Sequence, residues 1–215
     1  MKVAIVGATG FLGSSLVKEF STRGHEVTAI SRKPQQAEAS NVKAVSADVF
    51  DTDALVEVLK GNDVVVSAYN PGWTNPNIYD DAIAGSKAIQ AAVKKAGVKR
   101  FIYIGGAGSL YVAPDLQLID TPEFPAEYKA GASAARDYLN ILKEEQDLDW
   151  AFFSPAIEMH QGITTGRTGK YRLGLENPVF NDEGRSILSG EDVAVVIADE
   201  AENPKHHKQR FTAAY

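Results

Sequence analysis

Lys2-Val3-Ala4-Ile5-Val6-Gly7-Ala8-Thr9-Gly10-Phe11-Leu12-Gly13 follows the initial Met of the chain. The apolar run Val3–Val6 reads as a strand covered on both faces. Glycines stand at 7, 10 and 13, and the pattern turns helical over Phe11–Thr22. Each glycine has a task in such a strand–turn–helix. Gly7 permits a sharp exit from the strand, Gly10 lets the backbone approach a pyrophosphate, and Gly13 lets the helix pack closely on the sheet. The unpaired N–H groups at the helix start then face the phosphates, aided by the helix dipole. The spacing alone also fits a bare glycine-rich turn. Its place in the first strand–turn–helix of an alternating chain favours the dinucleotide reading.

Outward from this turn, short β-branched runs alternate with helical patterns. Strands are expected at Val3–Val6, Val27–Ile30, Val42–Ser46, Val64–Ala68, Phe101–Ile104 and Ala151–Phe153. Helices are expected at Phe11–Thr22, Thr52–Leu59, Ile78–Ala96 and Ala126–Glu145. The alternation predicts βαβ units, hence an α/β fold of Rossmann type with a doubly wound parallel sheet. Past Phe153 the rhythm loosens. A strand-like stretch lies around Lys170–Leu173, Ser189-Gly190-Glu191-Asp192 reads as a capped helix start, and Arg210–Ala213 reads as a last strand. No linker divides the chain. It is read as one domain over 1–215, with 155–215 forming a small C-terminal, substrate-side cap that includes the last helix and strand.

Composition narrows the function classes. A net charge of −6 argues against a nucleic-acid partner. No apolar run approaches membrane-spanning length, and the chain opens directly into a strand pattern with no leader, so a cytoplasmic protein is expected. With no cysteine, thiol nucleophiles and disulfides are excluded. His25, His160, His206 and His207 show no ligand spacing, so no metal is expected.

The end of the second strand bears on cofactor choice. An acidic residue there would hold the ribose 2′-hydroxyl of NAD. Ser31, Arg32 and Lys33 stand in that place instead. Arg32 could contact a 2′-phosphate and Lys33 could add charge, which favours NADP(H) over NAD(H). Both side chains could equally be solvated at a strand end. Asp48, followed by Val49, could accept from the adenine amino group, or could end the strand or cap the helix near Thr52.

These residues resemble a known group. The turn at 7–13, the Asp48-Val49 pair and Ser154-Pro155-Ala156-Ile157 resemble the atypical short-chain dehydrogenase/reductase superfamily. The run from Gly105 to Pro114, the stretch Arg167–Gly174 and the closing Gln209–Thr212 resemble its NADH-flavin reductase group of NAD(P)-binding oxidoreductases. The resemblance runs nearly the whole length; members also carry epimerase names. It implies strand order 3-2-1-4-5-6. It implies cofactor contacts at Gly7, Thr9, Gly10, Phe11, Leu12, Arg32, Asp48, Val49, Ser67, Ala68 and Tyr69, with Ser154 to Ile157 lining the nicotinamide end.

Most short-chain dehydrogenases carry a Tyr with a Lys four residues later, on one helix face, where the Lys lowers the Tyr pKa. No Tyr here has Lys at that spacing. Tyr128 and Lys129 are adjacent and point about 100° apart on a helix, so they cannot act as that pair. Each remains a candidate acting alone, as does Ser109, although a loop Ser and two partly exposed helix residues are the plainer readings. Without the pair, oxidation of a sugar hydroxyl is disfavoured. Hydride transfer to an acceptor that is its own electron sink asks less of the protein. Trp73, Tyr79, Tyr111 and Phe124, with Tyr69, fall at the carboxyl edge of the sheet, where they could stack a flat ring or simply anchor loops. The reading favoured is an NAD(P)H-dependent oxidoreductase with a small-molecule acceptor, a flavin such as FMN or FAD, a quinone or a similar conjugated molecule. A non-catalytic NADP(H)-sensing regulator and a sugar-nucleotide epimerase or dehydratase are the alternatives.

Overall fold

The computed structural model describes residues 1–37 and 39–215. The elements run β1 (Lys2–Val6), α1 (Phe11–Thr22), β2 (Glu26–Ser31), β3 (Val42–Ser46), α2 (Thr52–Leu59), β4 (Val64–Ser67), α3 (Ile78–Lys95), β5 (Arg100–Ile104), β6 (Tyr111–Ala113), β7 (Leu116–Gln117), α4 (Ala126–Lys143), β8 (Asp149–Ser154), β9 (Arg172–Gly174), α5 (Gly190–Glu202) and β10 (Gln209–Ala214). The main sheet has the order β3-β2-β1-β4-β5-β8-β10-β9. Every pairing in it is parallel except β9 on β10. The first six strands therefore take the expected 3-2-1-4-5-6 arrangement. No helix among the described residues is long and apolar enough to cross a membrane.

Period-two alternation divides the core. On one face Phe153 and Phe211 pack with Leu16 and Phe20 of α1 and Val193 and Ile197 of α5. On the other, Trp150 and Phe152 pack with Leu55 of α2, Ile89 of α3 and Leu142 of α4. Helices on both faces explain why the strands read as unbroken apolar runs.

The C-terminal third contributes the last helix and strand to the sheet and its layers. Residues 190–214 complete the fold itself, because α5 lies in the α1 layer and β10 enters the main sheet beside β8. A two-stranded hairpin, β6–β7, turning through Asp115 at φ 57°, was not foreseen. The predicted cap of α5 is half realised. Ser189 Oγ accepts from Asp192 N at 3.1 Å. The Asp192 carboxylate does not reach back; it is fully buried and accepts from Thr168 N, Thr168 Oγ1, Gly169 N and Tyr215 OH at 2.6–3.0 Å. The acid thus holds the 166–170 loop against α5. Arg167 adds a second tie, donating to Glu19 of α1 at 2.7 and 2.8 Å. That bond, with those from Arg23, holds the buried Glu19 carboxyl below its usual range despite desolvation.

At the amino edge of the sheet, away from the turn, Arg100 and Glu200 form a buried ion pair of 2.6 Å. His206 joins it through Nδ1 at 2.7 Å and stacks on Phe211 at 4.2 Å.

Candidate dinucleotide site

The glycine turn closes on itself tightly. Gly7 sits at φ +84°, and a Cβ there would fall 2.6 Å from the Ala68 carbonyl. A Cβ on Gly13 would fall 2.0 Å from the Gly7 carbonyl. Both approaches exist only because hydrogen replaces a side chain. Gly7 N and Ala8 N both donate to Ile30 O, at 3.0 and 3.1 Å, tying the turn to β2. Gly10 N donates to Gly7 O, and Ser14 N donates to Gly10 O, each at 3.0 Å. The amides of Phe11, Leu12 and Gly13 therefore precede the first bond that closes on the N-cap. No side chain caps this end and no acid stands in its first turn, while Thr9 and Gly10 are exposed. Donors aligned with the positive end of a helix, unblocked by any side chain, suit a phosphate. The turn lies between β2 and β4 at the point where strand order reverses, the usual crevice in open α/β sheets.

The residues expected at the adenine end come from three loops. Arg32 and Lys33 are exposed and form no ion pair among the described residues. Asp48 is exposed, and its Oδ1 accepts from Phe50 N at 2.9 Å. It does not cap α2; Asp51 does, accepting from Ala54 N at 3.2 Å. Tyr69 is packed against Gly85, where a Cβ would lie 2.4 Å from its ring, and donates to Asp81 O at 3.3 Å. Burial and then the Asp81 charge push its phenol up, with Arg32 opposing and Asp48 adding. Arg32, Asp48 and Tyr69 stand just past the carboxyl ends of β2, β3 and β4, on the same edge of the sheet. Phe50, exposed by 55%, stands beside Asp48 and was missed in the sequence, where it reads as an ordinary loop residue.

Other expected contacts divide by depth. Leu12, Ala68 and Tyr69 are half-buried and Ile157 is exposed. Val49, Pro155 and Ala156 are buried, as are Ser67 and Ser154, whose hydroxyls have no hydrogen-bond partner among the described residues.

The candidate catalytic groups do not converge. Ser109 is 2% exposed, and both its carbonyl and its Oγ accept from Arg210 Nη1, at 2.6 and 2.9 Å. Tyr128 and Lys129 are exposed at the start of α4. Tyr128 stands edge-on to Trp73 at 5.4 Å, and Trp73 covers Gly131. The position four residues after Tyr128 is the buried Ala132. A Cβ on Gly108 would sit 3.1 Å from its Cβ, so the loop after β5 lies flat on α4. A lysine at 132 would not fit beneath that loop. Three of the aromatics expected at the carboxyl edge of the sheet have separate partners. Tyr79 donates to Asp137 at 2.8 Å, and that bond raises its pKa. Phe124 lies against Gly108, and Tyr111 lies under the Arg210 guanidinium at 5.7 Å. His160 sits in an exposed loop, where Nδ1 accepts from Gly162 N at 3.1 Å. Among the described residues no group of three His, Cys, Asp or Glu could hold a metal.

The chain matches a family model described as NAD(P)H-binding over residues 7–204. It is 37% identical to an uncharacterised protein of Bacillus subtilis, YwnB, across 99% of this chain and 97% of that one. A provisionally named epimerase of Bacteroides thetaiotaomicron superposes with a TM-score of 0.91 at 46% identity, covering 100% of this chain and 96% of the other. A provisionally named NADH-flavin reductase of Streptococcus pneumoniae superposes with a TM-score of 0.85 at 34% identity, covering 100% and 99%. The family match begins at Gly7, the first residue of the glycine-rich turn, and runs almost to the last strand, so the chain belongs to the NAD(P)H-binding family.

Proposed function

We propose that the protein is an NADPH-dependent reductase that passes hydride to a flat conjugated acceptor, a flavin or a quinone. The observation that carries this reading is the pairing of an open phosphate-binding turn with Ala132 where the usual lysine would stand. A chain without a positioned proton-transfer pair is poorly equipped to oxidise an unactivated hydroxyl. Epimerase chemistry, suggested by some relatives' names, needs that step.

The residues divide the work simply. The amides of Phe11, Leu12 and Gly13 hold the pyrophosphate, Asp48 and Tyr69 bound the adenine, and Arg32 meets the 2′-phosphate. Ala156 and Ile157 support the far end. Bound there, the nicotinamide supplies a hydride to the acceptor. Two electrons and one proton arrive with that hydride, and solvent at the open edge delivers the second proton to complete the reduced acceptor. Phe11, Ile157 and Trp73, each exposed by more than a third, furnish apolar surface at this edge for a ring to lie against. Holding two flat groups face to face is then the main source of rate.

Two measurements test this. Purified protein should oxidise NADPH when FMN or a quinone is added, and a broad acceptor panel without turnover would overturn the enzyme reading. Binding without turnover would instead support a protein that senses the cofactor's redox state. Arg32→Ala should weaken NADPH by about 10- to 100-fold, the value of a charge-assisted phosphate contact, and leave NADH nearly unchanged. Equal losses for the two would remove the 2′-phosphate contact from the account.

A further inference from the structure

Arg210 is the one charged residue of β10, with its side chain only 1% exposed. On the sheet face toward α4 it shares β10 with Thr212, two residues on, and Thr212 pairs in register with Ser154 of β8. Arg210 Nε, Thr212 Oγ1 and Ser154 Oγ are all buried without a hydrogen-bond partner among the described residues. Buried polar atoms are nearly always satisfied, so three neighbouring exceptions need a reason. The remaining Arg210 nitrogens are used: Nη1 holds Ser109, and Nη2 meets the Glu176 carboxylate. Glu176 differs from its partner. Its side chain is 48% exposed and lies in the wall of a cavity of about 420 Å³, with Tyr111, Ala113, Pro114, Asp115 and Asn177. A buried cation is thus neutralised by a carboxylate that reaches it from the surface, beside the residues expected to line the nicotinamide end.

We propose that Arg210, Thr212 and Ser154 form a socket for a carboxylate borne by the acceptor substrate, and that Glu176 fills it until the substrate displaces it. The proposal rests on the reductase reading and adds the substrate's chemical class, a conjugated acceptor bearing a carboxylate. Glu176 shows that a carboxylate fits the guanidinium. Its exposed stem allows it to swing into solvent. An incoming carboxylate replaces one charge-assisted bond with another, while its second oxygen reaches donors that Glu176 leaves unpaired.

Calorimetry on the whole chain without NADPH tests the socket apart from turnover. The probes are naphthoate and its uncharged analogue naphthamide. Naphthoate should bind about ten-fold tighter than naphthamide, the worth of one hydrogen bond to a charged group. Arg210→Met should erase that difference. Glu176→Gln should raise naphthoate affinity, because the internal competitor is gone, and this variant carries the test if Arg210→Met does not fold. Equal affinity for the two probes, binding of neither, a preference that survives Arg210→Met, or unchanged affinity in Glu176→Gln would each overturn the proposal. Quinone turnover with no carboxylate preference would sink the socket and leave the reductase reading standing. A carboxylate preference with no turnover of any acceptor would do the reverse.

Discussion

Gly13→Ala should abolish measurable NADPH binding, a loss of at least about 100-fold, and should cost the fold roughly 1–3 kcal/mol, the range for an overpacked core position. The new methyl would lie 2.0 Å from the Gly7 carbonyl oxygen and 2.8 Å from Ala8 Cα. Both are backbone atoms, so no flexible side chain can yield. The turn cannot retreat either, because Gly7 and Ala8 donate to Ile30 and Gly7 already presses on Ala68. The start of α1 must move, carrying away the amides that face the phosphates, and hydrogen bonds weaken steeply with such displacement. Gly24→Ala is the control. Its φ of +82° makes alanine unfavourable, but nothing lies within 4 Å of the added carbon. It should lose some stability and keep its cofactor affinity. Titration of both variants with NADPH decides the matter, and near-normal affinity in Gly13→Ala would show that the pyrophosphate does not sit on this turn.

The second large effect lies at the other edge of the sheet. Glu200→Ala should cost about 3 kcal/mol, the lower end of the penalty for removing one partner of a buried ion pair, because Asp149 still faces Arg100 at 3.3 Å. Glu200 is 4% exposed and accepts from Arg100, Lys205 N, His206 N and His206 Nδ1 at 2.6–3.0 Å. Removing it leaves Arg100, 8% exposed, with only the Asp149 carboxylate at 3.3 Å and the carbonyls of Asp149 and His206, and it frees two amides that shape the link from α5 to β10. Such a loss is a large part of a typical domain's 5–15 kcal/mol or so. Burial alone would raise the Glu200 pKa, but the His206 and backbone donors outweigh it and hold it below its ordinary 4.5. A carboxyl lowered on folding stabilises fully above its unfolded value. Its contribution is therefore lost as pH falls below about 4.5 toward the folded value. Glu200→Gln should remove that part of the acid dependence in denaturant melts taken from pH 7 to pH 3. Whatever folded protein survives should bind NADPH as the parent does, because this cluster is remote from the turn. An unchanged melting profile would mean that the pair contributes nothing net.

Much of the fold was legible because its signals are local. Val3–Val6 and the glycines that follow act within a dozen residues, and the alternation of short strands with long helices needs no knowledge of contacts. The second strand's end was legible by what it lacks, since an acid there is a matter of residue type. Asp51 rather than Asp48 as the cap of α2 was not legible, because either spacing suits a helix start and only backbone direction chooses. Asp192 looked like the acid of a capping box from its place three residues after Ser189. Its carboxylate instead met Thr168 and Gly169, more than twenty residues earlier.

The catalytic candidates show the same division. Ser109 reads as a free hydroxyl in a glycine-rich loop, and nothing nearby in the chain announces Arg210, which is 101 residues away. A lone charged residue inside a strand was the available signal, and it gained meaning only once β10 was placed beside β8. The sequence by itself determined the alternation of strands and helices, the glycine-rich turn and the absence of a Tyr/Lys pair, since each depends on residue type and short spacing. Only the tertiary structure decided which buried charges meet, which hydroxyls are spent and where the last strand lies, because those follow from long-range packing. A partner's identity cannot be written in the local pattern of the residue that needs it.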